Sequence, residues 1–128
     1  SVASGVPAVA GITVIVAMAY LTYKGATAGT PDATEVPTPA AVARDGPAAV
    51  ARFNEGRLVV AQSGCEACHV IGQNGNAGPG PNLTHIASRL PRLAIARTLV
   101  NPTAPMPSFK NLPPNKFQAV VNFLADLK

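Results

Sequence analysis

The chain has no tryptophan, and phenylalanine and tyrosine make up only 5% of its 128 residues. It therefore offers few of the flat rings on which nucleic-acid bases stack. Charge is also scarce: 12% of the residues are charged, about half the usual fraction, so some segment must exclude charge. Two cysteines are too few for the disulfide scaffold of a small secreted domain. No segment alternates convincingly at period two, which argues against a sheet. A chain of this length holds at most one compact domain of ordinary size, and that excludes a multidomain enzyme. What the chain does have is apolar content and loop. A hydrophobic share of 48% argues against wholesale disorder, while thirteen prolines and eleven glycines demand turns and linkers.

The charge-free segment is Ser1 to Tyr23. As a helix, about 20 apolar residues cross the hydrocarbon core of a bilayer. Residues 1–24 are therefore expected to form a transmembrane anchor in the lipid bilayer, with Tyr20, Tyr23 and Lys24 at its interface. The alternative is a secretory signal peptide cleaved at Ala26-Thr27-Ala28, but the apolar run exceeds the roughly 7–15 residues of a signal core. Residues 25–47 contain Pro31, Pro37, Pro39 and Pro47 and show no apolar period. They are expected to be an extended Pro/Ala/Thr-rich linker.

Residues 48–128 are the candidate globular domain, so small that an apolar core alone is marginal; a large buried cofactor would remedy that. A first helix is expected from Pro47 to about Ser63, with Val50, Phe53, Arg57, Val60 and Ala61 near one face and Gly64 as its stop. The four glycines and two prolines of Gly72–Pro81 make a loop. Pro91 opens a second helix, with Leu93, Ile95, Ala96, Leu99 and Val100 apolar, which ends at Asn101-Pro102. Five prolines between Pro102 and Pro114 keep that stretch irregular. In the last helix, Lys116–Leu127, residues Phe117, Val120, Val121, Leu124 and Leu127 make a buried stripe. The expected fold class is all-α with long loops.

Cys65-Glu66-Ala67-Cys68-His69 is a C-x-x-C-H sequence, the attachment signature of a c-type haem. Two thiols on one helical turn can each add to one haem vinyl group, and the adjacent imidazole then faces the iron. A thioredoxin-type C-x-x-C would need a βαβ context. A zinc site built from Cys65, Cys68, His69 and His85 would need adjacent Cys68 and His69 to face one ion. One covalent haem c is thus the expected cofactor, with His69 as an iron ligand. For the other side of the iron, Met106 stands in the stiff loop Pro105-Met106-Pro107-Ser108-Phe109, and His85 competes with it. A thioether ligand raises the potential relative to two imidazoles and closes the sixth position. The expected role is electron transfer and not catalysis. The alternative from another class is a ligand-binding or catalytic haem protein in which Met106 does not ligate.

Together with Gly80-Pro81-Asn82-Leu83, Pro105-Met106-Pro107 and the Phe123-Leu124 pair, the motif makes the domain resemble a class I cytochrome c. It is most similar to membrane-anchored forms and to the cytochrome c domains of oxidase subunit II. The resemblance implies a small cytochrome c fold around one covalent haem, preceded here by the transmembrane helix and linker. It also implies that the Pro81 carbonyl accepts the hydrogen bond of the proximal imidazole, and that Gly56 lies where the first and last helices cross. Val60 departs from the family, which usually has an aromatic there. Thr84, His85 and Arg89, with Arg97 as a weaker option, are candidate partners of the haem propionates, set against a plain role at the surface.

From Ala48 onward eight basic residues face only Glu55, Glu66 and Asp126. Such a bias can steer the domain towards an acidic redox partner. The charges are scattered and lack an aromatic surface, so no nucleic-acid partner is expected. The expected partners are a quinol-oxidising complex as donor and a terminal oxidase as acceptor. The chain would serve them as a tethered shuttle or as a fixed subunit of a larger respiratory or photosynthetic complex. In the family resembled, haem is attached outside the cytoplasm. The expected location is the cytoplasmic (inner) membrane, single-pass, with the haem domain on the periplasmic side.

Overall fold

A computed structural model describes residues 5–27 and 36–128, and the chain divides into two units, Ser1–Thr30 and Pro31–Lys128. Pro31 of the expected linker and Ala28 of the alternative cleavage site lie outside the described residues.

The first unit holds helix α1 (Gly5–Thr27). Its Thr13 and Thr22 hydroxyls donate to the carbonyls of Val9 and Met18, each at 2.9 Å, so these polar groups are satisfied within the helix. The expected transmembrane span is corrected here: among the described residues, no helix is long and apolar enough to cross a membrane. Alanine, glycine, threonine and tyrosine are interspersed among the Val, Ile and Leu of α1, and Lys24 stands in its last turn.

In the second unit, part of the stretch expected to be extended linker is folded. Helix α2 (Ala40–Arg44) buries Val42, and Val36 before it is also buried. Two single valines flanked by prolines and alanines carry no period, so nothing in the pattern marks them as core. Thr38 is tied down as well, accepting a 3.0 Å hydrogen bond from Arg57 Nη2.

Helix α3 (Pro47–Gln62) starts after Gly46, with Pro47 in its first turn, where a missing N–H costs nothing. It stops at Gly64, whose φ of 74° is left-handed. Its buried positions are Ala49, Phe53, Gly56, Val59 and Val60. Val59 takes the place expected for Ala61, which is half-buried. Helix α4 (Arg92–Val100) buries Ile95 and Leu99 and leaves Leu93 exposed. Helix α5 (Pro114–Ala125) begins two residues earlier than expected because Pro113-Pro114 suits a helix start. It buries Ala119, Val120, Val121, Phe123 and Leu124, and Leu127 is buried just beyond its end.

The core lies where α3 packs on α5. A Cβ at Gly56 would run into the Ala119 carbonyl and lie 2.5 Å from Phe123 Cβ, so the lack of a side chain sets how closely the helices approach. Phe53 and Phe123 meet beside it with ring centroids 4.8 Å apart, and Arg57 stacks over Phe53 at 5.1 Å. Val60 is 1% exposed, so the valine found where the resemblance leads one to expect an aromatic is a core residue. Gly56→Val should force the helices apart, costing about 3 kcal/mol as overpacking. In a domain of this size that lowers the melting midpoint by roughly 10 °C or more, as circular dichroism would show.

The all-α expectation needs one amendment. Directly after His69, β1 (Val70–Ile71) pairs antiparallel with β2 (Asn74–Gly75). Strands of two residues are too short to leave a period.

Candidate functional site

After Gly64 the chain makes a 3₁₀ turn over Cys65–Ala67. The N–H groups of Cys68 and His69 both donate to the Cys65 carbonyl, at 3.2 and 3.1 Å. This tight turn brings Cys65, Cys68 and His69 to the wall of one cavity of about 350 Å³. Both cysteines are free thiols. Burial pushes the Cys65 thiol up to about 11, with the Glu66 carboxylate adding to the rise and a backbone hydrogen bond opposing it. A thiol held protonated in this way is the opposite of an activated thioredoxin-type nucleophile. Among the described residues, no group of three His, Cys, Asp or Glu side chains could hold a metal ion, so the zinc alternative has no site there.

His69 is 7% exposed. Its Nδ1 lies 2.7 Å from the Pro81 carbonyl. A carbonyl can only accept, so Nδ1 carries the proton and Nε2 keeps its lone pair. The glycine-rich loop is folded flat against the motif. A Cβ at Gly80 would lie 2.5 Å from Nδ1 and 2.8 Å from Nε2 of His69, and one at Gly78 would lie 3.0 Å from Cys68 Cα. Only a residue without a side chain can lie against the imidazole in this way, and the ring is thereby held in place.

Met106 lines the same cavity and is half-buried. Its loop is fastened to the end of α4: Phe109 N–H donates to Leu99 O at 2.8 Å, and the Ser108 hydroxyl donates to Val100 O at 2.6 Å. The rest of the lining is mostly apolar and includes Pro79, Pro105, Pro107 and Phe109, with Ser63, Thr98 and Thr103 as its hydroxyl-bearing residues. Two thiols on one turn, an imidazole with a free Nε2 and a thioether around an apolar cleft fit a covalently attached haem. Thr98 and Thr103 were not legible as lining residues, because a threonine on a short helix or in a proline-rich loop carries no signal of its own.

The candidate propionate partners lie elsewhere. Arg89 is exposed, and its Nη2 donates to the Asn82 carbonyl at 2.6 Å. Thr84 accepts from Gly72 N–H, and His85 Nδ1 donates to the Lys128 carbonyl at 2.9 Å. Thr84 and His85 line a separate cavity of about 210 Å³. Arg97 is exposed on α4. None of the four lines the cavity that His69 and Met106 share.

Residues 51–124, more than half of the chain, match the family model described as cytochrome c oxidase, cbb3-type, subunit III. No curated protein and no solved structure matches the chain.

Proposed function

Because the chain belongs to the family of cbb3-type cytochrome c oxidase subunit III, and so holds covalent haem c in a cytochrome c domain, we propose that it carries single electrons within an oxidase complex. In this reading it takes them from a quinol-oxidising donor and delivers them to a terminal oxidase. The family description favours a fixed subunit over a free shuttle. The haem supplies a reversible one-electron change at its iron. The chain's residues do the rest. Cys65 and Cys68 anchor the group through thioethers, His69 offers Nε2 to the metal, and Met106 offers its sulfur. The apolar lining keeps water from the iron, and no residue is asked to make or break a substrate bond. The domain would stand on the extracytoplasmic side, where haem attachment takes place in the cytochromes it resembles.

The observation that carries this reading is the single apolar cavity shared by the Pro81-held His69 and Met106. A rival ligand-binding haem protein would need a sixth position that Met106 leaves open. Purification of the oxidase from its native source tests the proposal. This chain is expected at a one-to-one ratio with the catalytic subunit, and removing it should stop oxidation of the reduced donor. An oxidase that keeps full turnover without the chain would overturn the subunit reading. A reduced spectrum that shifts with carbon monoxide would favour the rival.

A further inference from the structure

Residues 36–44 precede α3 and are held to the haem domain lightly. The segment buries Val36 and Val42, each 4% exposed. Its side-chain tie is the bond from Arg57 Nη2 to the Thr38 hydroxyl. Its main-chain bonds close on themselves: Ala43 N–H donates to Pro39 O at 3.0 Å, and Asp45 N–H donates to Ala41 O at 3.1 Å. Among the described residues, no main-chain bond joins residues 36–44 to α3 or to anything beyond it. The other end of the domain is fastened differently, since Ala87 N–H donates to Leu127 O at 2.8 Å. Packing is loose as well. Val36, Thr38 and Pro39 share a cavity of about 210 Å³ with Ile71 and Leu127, whereas a close-packed interior leaves few voids larger than a water molecule. Between the segment and α3 stands Gly46, at a φ of 95°, where an added Cβ would meet nothing within 4 Å. That is a hinge with room to turn.

We propose that residues 36–44 form a clip that swings open about Gly46 and recloses while the haem domain stays folded, and that the open clip lets the domain reach farther. Docking takes conformational freedom from nine residues. Two buried valines and the bond to Thr38 have to offset that loss. The surplus is small, so opening costs much less than unfolding the core that Phe53, Val60 and Phe123 make. Once open, the clip adds up to about 30 Å of extended backbone to the chain ahead of the domain. A carrier with one haem has to bring its iron near a donor and then near an acceptor, and a chain of two lengths suits both. This use of the clip rests on the electron-carrier reading; the opening itself does not.

Native-state hydrogen exchange of the full-length haem-loaded protein, read by nuclear magnetic resonance, tests the opening. The Ala43 and Asp45 amides should exchange at least about 100-fold faster than those of Val60 and Val121. Thr38→Val removes the acceptor and should speed exchange in the clip about fivefold. Val36→Ile adds a methyl group beside the cavity and should slow it about threefold. In both variants the Val60 and Val121 amides should keep the parent's rates. Clip amides that exchange as slowly as the core, or clip and core rates that move together in the two variants, overturn the proposal. Reach is tested in the purified oxidase. There the rarer opening of Val36→Ile should cut oxidation of the reduced donor about threefold, with no change in midpoint potential. Unchanged turnover overturns the part the clip plays in reach. An oxidase that turns over fully without the chain would instead overturn the electron-carrier reading and leave the exchange result standing.

Discussion

Met106→Ala is expected to abolish the sulfur-to-iron charge-transfer band of the oxidised protein, lower its midpoint potential and let carbon monoxide bind the ferrous form. The sulfur ligand stabilises the ferrous state, and axial ligands set haem potentials over a span of about 0.8 V, so a fall on the order of 100 mV is reasonable. Among the described residues, no second imidazole lines the cavity. His85, the other imidazole of the chain, is exposed, bonded to the Lys128 carbonyl and outside the cavity. Because Ser108 and Phe109 fasten the loop to α4 independently of the methionine, the variant should still fold, and the loss should be spectroscopic. Optical spectra with and without carbon monoxide, and a redox titration, check it. An unchanged ligation spectrum would remove Met106 from the iron and reopen the ligand-binding alternative.

Replacing both cysteines, Cys65→Ala with Cys68→Ala, should leave haem that acidified organic solvent extracts and a polypeptide whose mass carries no added group. A single replacement leaves one thioether and should retain haem through denaturation. The double variant should also lose its sharp thermal transition. Its cavity of about 350 Å³ opens among the residues that the small core leans on, and a domain of this size has little stability in reserve. Mass spectrometry after denaturation and a melting curve measure the two effects separately. Haem that stays covalently bound in the double variant would place its attachment elsewhere.

Much of this architecture is legible in the sequence. Helices α3, α4 and α5 were legible because Pro47, Pro91 and Gly64 punctuate the chain and because the apolar positions of α5 recur on one face. The cavity was legible because Cys65, Cys68 and His69 stand at a spacing that only a few chemistries use. Other features left no trace. Val36 and Val42 are isolated valines that become core only through tertiary packing. Phe123 fell outside the expected stripe of α5, yet it is fully buried against Gly56 and Phe53. The contact of Arg89 with a main-chain carbonyl cannot appear in a pattern of side chains. The charge-free N-terminal run has a composition that suggests a bilayer span, yet among the described residues no helix is long and apolar enough to cross a membrane.

The strap from Val36 to Arg44 lies outside the span that marks the family, yet it places two valines in the core and presents Thr38 to Arg57. What is recognisable in this cytochrome is therefore smaller than what is self-sufficient. A fragment trimmed to the start of α3 would keep the whole haem motif but leave two gaps in its interior. Anyone grafting this domain onto another protein should carry the strap along.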